Sequence, residues 1–368
     1  MIRRLLPTAL VVVASTAGAQ SAFDVSARIA PQFHSYDIKS PANTKISEFA
    51  LPLYVLVPVT SRLSFDIGSS YTHAEVEQTA GGSKTTSTIS GLTDTQLRGN
   101  YTIGSDFVVL TAGLNLPTGQ STVNADQLSA ASLIGNDFLA FPISNMGTGF
   151  GGTGGIAIAR PVGDWSIGGG ASVRHSSSYD PFDVGSGSPQ LHYQPGNEYR
   201  FRGGVDHGFG TGRMNLGVTY SSFGDDDLGG SVYNTRNRWL SQVGLSNNFG
   251  PGMLSFAGWD LYRQSGRLVD STATGKENIL AASLAYGIQT GSTTIIEPNF
   301  EARVWTQSEG IPSSTIATLG LRSQFSLIGY AISPSVGYSV GSLGAGIVGS
   351  TTKSDLTGFH ATLAVRLR

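Results

Sequence analysis

The sequence predicts an all-β fold, a transmembrane antiparallel up-and-down β-barrel of about 16 strands, with about 14 as the alternative count. Three observations predict it. Short turn signals recur along the chain, the segments between them alternate apolar and polar residues, and a secretion signal precedes them. Because an open sheet of this size would expose edges that template aggregation, we expect the sheet to close on itself.

Residues 1–19 have the pattern of a secretory signal peptide. Arg3 and Arg4 give a positive start, Leu5 to Ala14 form an apolar run, and Ala17-Gly18-Ala19 is a small-residue cleavage site. The run is too short to span a bilayer as a helix. Residues 20–368 are therefore predicted to form one outer-membrane β-barrel domain.

The composition favours a membrane barrel over a soluble β-protein. Glycine accounts for 49 of the 368 residues, and charged residues for only 13%. A net charge of −2 gives no basic surface for nucleic acid, and the absence of Cys excludes disulfides, thiol catalysis and Cys-ligated metal. The six His have no metal-ligand spacing. We therefore expect no metal, no cofactor and no catalytic residues.

Tight turns are predicted on one side of the sheet and long loops on the other. With both termini on the turn side, seven turns imply about 16 strands, and this asymmetry is typical of bacterial outer-membrane barrels. The turns are Thr60-Ser61-Arg62, Gly104-Ser105-Asp106, Val162-Gly163-Asp164, Gly210-Thr211-Gly212, Gly250-Pro251-Gly252, Thr290-Gly291-Ser292 and Leu327-Ile328-Gly329. The longer connections lie around residues 38–45, 77–87, 118–147, 177–196, 223–232, 265–276, 308–314 and 343–355.

Alternation assigns the charged residues to the inside of the barrel. Apolar residues such as Leu63, Phe65 and Ile67 face outward, where an Arg at the bilayer midplane would cost about 2–4 kcal/mol. Two interpretations of the inner charges stay open: ion pairs that brace the wall, or a solute path whose excess of Arg favours anions or carboxylates. The predicted lumen-lining charges are Asp66, Arg98, Arg174, Arg200, Arg202, Asp206, Arg238, Glu297, Glu301, Arg303 and Arg322.

The longest loop, residues 118–147, is a candidate constriction inside the barrel. Its middle is apolar, which is unusual for an exposed loop of this length, although an outer lid that packs on its neighbours is an alternative. Its acids could lie opposite the arginines and create a transverse field, or its apolar side chains could guide hydrophobic solutes; the excess of apolar residues favours the second version. The residues singled out are Asp126, Leu128, Leu133, Asp137 and Phe138.

One block resembles a known family. It runs Gly91-Leu92-Thr93-Asp94, then Leu97 to Tyr101, a tight turn, and Gly113-Leu114-Asn115-Leu116-Pro117-Thr118-Gly119. This block is similar to one found in outer-membrane proteins of the phenol meta-cleavage pathway family. The resemblance implies an outer-membrane channel for aromatic or other hydrophobic compounds, and it brings no catalytic or ligand residues.

The sequence as a whole predicts a channel or transporter-like, porin-like protein for small, hydrophobic or aromatic solutes, and not an enzyme. The expected location is the outer membrane of a Gram-negative-type bacterium, reached after secretion through the inner membrane. Expected partners are outer-membrane lipid and lipopolysaccharide, the barrel-assembly machinery and a small-molecule solute. The alternatives are a barrel enzyme, either a lipid hydrolase or a protease, with His175 and Ser176 to Ser178 as its one faint candidate cluster, and a plugged structural or adhesion barrel.

Overall fold

The computed structural model describes most of the chain after the predicted signal peptide. Residues 1–19 and the start of the predicted barrel domain lie outside the described residues. The described ranges are 25–39, 43–104, 107–183, 185, 190–234, 236–269, 273–307, 311–327, 329–344 and 352–367.

The described residues form a closed antiparallel barrel of sixteen strands, which confirms the predicted fold class and strand count. Each strand pairs with the next along the chain, and the last pairs with the first. The strands are β1 (Ser26–Ile29 and Gln32–Lys39), β2 (Asn43–Pro58), β3 (Leu63–Ala80), β4 (Ser83–Leu92 and Thr95–Ile103), β5 (Val108–Leu116), β6 (Gly151–Val162), β7 (Trp165–Ser176), β8 (Glu198–Phe209), β9 (Gly212–Phe223), β10 (Arg238–Phe249), β11 (Gly252–Arg263), β12 (Glu277–Gln289), β13 (Ile295–Thr306), β14 (Ser314–Leu327), β15 (Tyr330–Leu343) and β16 (Ser354–Leu367).

Five of the seven predicted tight turns lie wholly within the described residues and join consecutive barrel strands, whereas the turns at 104–106 and 327–329 include positions outside the described residues. Gly163 and Gly250 illustrate why glycine stands there, since their φ angles of 61° and 57° lie in the left-handed region that a two-residue hairpin turn requires. Two of the long connections differ from the prediction. Around 38–45 and 77–87 the strands continue to Lys39 and Ala80, because the alternation continues through both segments; residues 40–42 lie outside the described residues.

Two strands are interrupted. In β1 the break falls at Ala30-Pro31, where proline has no N–H to donate to the sheet. In β4 the break falls at Thr93-Asp94, and there the chain leaves the ladder for two residues before it pairs again with β3. The second interruption positions the functional site described below.

The two faces of the barrel differ as alternation requires. Large apolar side chains are exposed on the outer face, among them Phe65, Ile67, Leu114, Leu280 and Phe300. Such an exterior is what a bilayer solvates. Within the described residues, no helix is long and apolar enough to cross a membrane.

The face assignment predicts how single cysteines react in liposome-embedded protein. Ser172 and Val173 are neighbours on β7, and Val173 is exposed on the apolar exterior. We expect Ser172→Cys to react with a water-soluble maleimide and Val173→Cys to remain unlabelled, because only the inner face meets water. The native chain has no Cys, so it serves as a clean blank. If only Val173→Cys were labelled, the assignment of β7 residues to the inner and outer faces would be wrong by one position.

Candidate functional site

The loop between β5 and β6 folds into the barrel. It contains a short 3₁₀ helix, Ala125–Gln127, capped by Asn124, and the helix α1, Leu128–Ile134. Its buried apolar residues form one cluster with twelve residues of the wall, which come from ten of the sixteen strands. A buried cluster that joins one loop to the inward residues of ten strands places the loop inside the barrel. The loop residues of the cluster are Ala130, Leu133, Ile134, Phe138, Leu139, Phe141 and Met146.

The wall residues of this cluster lie at the ends of their strands nearest the long loops. There the inward positions change from polar to apolar on β1–β4 and β11–β16. We call this surface the seat of the loop; it consists of Tyr36, Ile38, Ile46, Ala74, Val76, Ile89, Leu261, Ile279, Trp305, Ile316, Leu343 and Leu356. Burial of apolar side chains on both sides of this contact holds the loop against one part of the circumference.

Hydrogen bonds fix the backbone of the loop on its seat. The Tyr36 hydroxyl donates to the carbonyl of Leu139 at 3.1 Å, and the buried Glu48 accepts from the N–H of Ile143 at 2.9 Å. Arg303 donates to the carbonyl of Phe138, whose ring stacks on Trp305 at 5.6 Å between centroids. Without these partners, buried backbone groups of the loop would be left unsatisfied.

Asp94 clamps the two ends of the loop together. Its Oδ1 accepts from the N–H of Gly119 at 3.1 Å, where the loop begins, and its Oδ2 accepts from the N–H of Thr148 at 2.7 Å, where the loop ends. The Asn115 side chain donates to the same Oδ2 at 2.7 Å. The clamp needs glycine at 119, because a Cβ there would lie 2.1 Å from the carbonyl oxygen of Met146.

The sequence block from Gly91 to Gly119 therefore has a structural role in this chain. Thr118 donates to the carbonyl of Thr93 at 3.1 Å and accepts from the N–H of Thr95 at 2.8 Å. The two halves of the block, Gly91 to Asp94 and Leu116 to Gly119, thus bind each other across the break in β4. The break frees the Asp94 carboxylate from the strand face and directs it to the base of the loop.

A second part of the lumen is basic. On the inner face from β4 to β10, which we call the basic wall, Arg98 pairs with Asp66 of β3 at 2.9 Å. Glu198 accepts from Arg200 at 2.6 Å and from Arg238 at 3.3 Å. Among the described residues, these two carboxylates are the ones that form ion pairs with the five arginines of the basic wall. The five are Arg98, Arg174, Arg200, Arg202 and Arg238.

The remaining predicted lumen charges form balanced pairs. Arg303 pairs with Glu301 at 2.5 Å, and Arg322 pairs with Glu297 at 2.6 Å, both within the hairpin-linked strands β13 and β14. Asp206 pairs with Arg213 at 2.8 Å close to the tight turns. Ion pairs that brace the wall and an arginine excess are thus both present in the barrel. Their use by a solute stays a prediction.

The five loop residues singled out from the sequence separate in the structure. Leu133 and Phe138 are buried on the seat, whereas Leu128 is 50% exposed. Asp137 pairs with Arg263, an arginine absent from the predicted set. The Asp126 side chain is exposed and forms no ion pair within the described ranges. The apolar side chains of the loop thus mainly attach it to the wall, and one acid of the two faces an arginine.

Sequence reasoning missed three acids of the site. Glu198 stands two residues before Arg200 on the same face, so extension of the alternation by one step would have found it. Glu48 also follows the inward alternation of β2, between Ile46 and Ala50. No local signal marks Asp94 as the clamp, because its partners come from both ends of a distant loop.

The structure separates His175 and Ser176 of the candidate enzyme cluster. His175 bonds the side chain of Asn197 at 2.8 Å, and Ser176, the next residue of the strand, points to the other face and is buried. Within the described ranges no group of His, Asp and Glu is arranged to hold a metal ion. Beside the basic wall, burial raises the pKa of Tyr179 to about 12. The phenol is therefore neutral at physiological pH and adds no negative charge there.

The Asp94 clamp predicts how the loop responds to a single substitution. Asp94→Ala removes three accepted hydrogen bonds, so we expect the loop base to open and the barrel to lose about 3 kcal/mol of stability. Limited proteolysis should then cleave within residues 118–147, and the folded band on a detergent gel should disappear at a lower temperature. Asp126→Ala removes an unpaired acid of the same loop and serves as the control. Equal behaviour of the two variants would exclude the clamp.

Comparisons with known proteins agree with the fold. No protein-family model matches the sequence, and no curated protein is significantly similar to it. OprB of Pseudomonas putida aligns with a TM-score of 0.53 and 9% identity over 94% of each chain. A bacterial polysaccharide outer membrane secretin aligns with a TM-score of 0.50 and 10% identity, over 95% of this chain and 99% of its own. A deletion mutant of the monoaromatic hydrocarbon channel TodX aligns at 0.46 and 11%, over 95% and 91%. The chain thus has the fold of outer-membrane β-barrel proteins.

Proposed function

We propose that this protein is an outer-membrane channel for small solutes. The observation that carries the proposal is the division of the lumen: the internal loop is attached to its seat on β11–β16 and β1–β4, and the basic wall faces it. A loop held against one part of the circumference narrows a barrel without filling it. The solute passage then lies between the loop and the basic wall.

The exterior supports the proposed location. The outward apolar side chains need a bilayer as solvent, and a closed barrel leaves no unpaired strand edge within it. The predicted signal peptide provides the route across the inner membrane, and barrel-assembly machinery would then insert the strands. We propose that outer-membrane lipid and lipopolysaccharide surround the protein there, as expected for this fold.

The charges of the basic wall support a solute path along it. Water reaches these arginines, because the side chains of Arg98 and Arg200 are each 27% exposed and that of Arg238 is 21% exposed. An arginine excess in a narrow, low-dielectric passage attracts anions and repels cations. The resemblance to the phenol-pathway family extends the proposed solutes to aromatic compounds.

A plugged structural or adhesion barrel is the competing function, and the apolar contact between loop and seat is the observation that favours it. The two functions differ in conductance. A plugged barrel passes no ions until its loop is removed, whereas a constricted channel conducts with the loop in place.

Deletion of residues 124–141 tests the role of the loop. The deletion removes most of the apolar residues that bind the seat and leaves Gly119 and Thr148 for the Asp94 clamp. We expect the parent protein to conduct in planar bilayers, and the deletion to enlarge single-channel conductance severalfold and to speed liposome swelling with sugars. Unchanged conductance would make the loop an outer lid, and conductance in the deletion variant alone would support the plugged barrel.

A further inference from the structure

Arg202 differs from its neighbours in the basic wall. Arg98, Arg200 and Arg238 each pair with an acid, and Arg174 donates to the hydroxyl of Thr148 at 3.1 Å. Arg202 has neither an ion pair nor a side-chain hydrogen bond with any described residue. A half-buried guanidinium whose N–H groups bind no protein acceptor is free to bind an anion from the lumen.

One acid, Glu198, acts on Arg202, and it is already paired with other arginines. The cross-strand partners of Arg202 are Gly170 on β7 and Thr219 on β9, and neither is an acid. The charged groups close enough to act on it are Arg200, Glu198 and Arg98. Glu198 already accepts from two arginines, so it cannot also neutralise Arg202. The cluster keeps an excess positive charge at this point of the lumen.

Small residues leave space in front of Arg202. On the two strands before β8, the inward positions of the same region are Gly155 and Ala157 on β6, and Gly170 and Ser172 on β7. None of these side chains extends more than two heavy atoms beyond Cα. The inner surface of β6 and β7 beside Arg202 is therefore low, and a flat molecule can lie on this floor.

We infer that Arg202 is a binding site for the carboxylate of a small organic acid whose flat body lies on this floor. The planar guanidinium matches a carboxylate bidentately, with two parallel hydrogen bonds. One free guanidinium neutralises one charge, which suits a carboxylate better than a doubly charged phosphate. The inference rests on the proposed channel function, since a solute reaches Arg202 through the lumen.

Calorimetric titration of the detergent-solubilised full-length protein tests the site with three probes: benzoate, its uncharged analogue benzamide, and inorganic phosphate. We expect benzoate to bind saturably, and benzamide and phosphate to bind at least about tenfold more weakly. Arg202→Gln should weaken benzoate binding about tenfold. Arg202→Lys should weaken it less, because lysine keeps the positive charge but cannot donate the two parallel hydrogen bonds of a guanidinium. Phosphate binding as tightly as benzoate would overturn the assignment of a carboxylate.

The control variant is Arg213→Gln, which removes the same charge from the neighbouring strand, near the tight turns, where Arg213 pairs with Asp206. We expect its benzoate affinity to stay within about twofold of the parent. Equal benzoate affinity of the parent, Arg202→Gln and Arg202→Lys, each folded by heat-modifiable gel migration, would overturn the site. Bilayer conductance of the same samples distinguishes the two proposals. A parent protein that conducts but does not bind benzoate would contradict the Arg202 site alone. A parent protein that binds benzoate but does not conduct would contradict the channel function.

Discussion

Every strand of this barrel has two environments, and the alternation of its residues decides which side chains meet lipid and which meet the lumen. The constraint is energetic, because an arginine on the lipid face costs about 2–4 kcal/mol at the midplane. The ion pairs of Asp66, Glu198 and Glu301 accordingly lie on the inner face. The same alternation creates the seat of the loop, since the inward positions become apolar toward one end of ten strands. The position of the loop is thus determined by the strands whose inward residues are apolar.

The features that repeat locally could be predicted from the sequence. Tight turns such as the one at Gly163, the strand number and the polarity of the two faces each depend on a few neighbouring residues, and the structure has all of them. The interruption of β4 at Asp94 could not be predicted in this way. It replaces ladder bonds by contacts with Gly119 and Thr148, which are 25 and 54 residues away in the chain.

The candidate site was predictable in its components and not in its arrangement. Alternation places Arg200, Arg202 and Arg303 on the inner face, but it contains no information on which strands stand opposite each other across the lumen. Arg303 meets the carbonyl of Phe138 over a separation of 165 residues. The apolar middle of the loop indicated a buried loop, whereas the strands to which it attaches could be identified only in the folded barrel.

We propose that the loop stays on its seat while solute passes along the basic wall. Ser87 of β4 accepts from the N–H of Ala130 at 3.1 Å, so a cysteine pair at these two small residues can be joined by a short thiol crosslinker. Single-channel conductance of the crosslinked Ser87→Cys/Ala130→Cys protein, measured against the uncrosslinked sample, tests the claim most directly. We expect equal conductance and equal anion preference of the crosslinked and uncrosslinked samples. Loss of conductance on crosslinking would contradict this proposal, because the loop would then have to leave its seat for the channel to open.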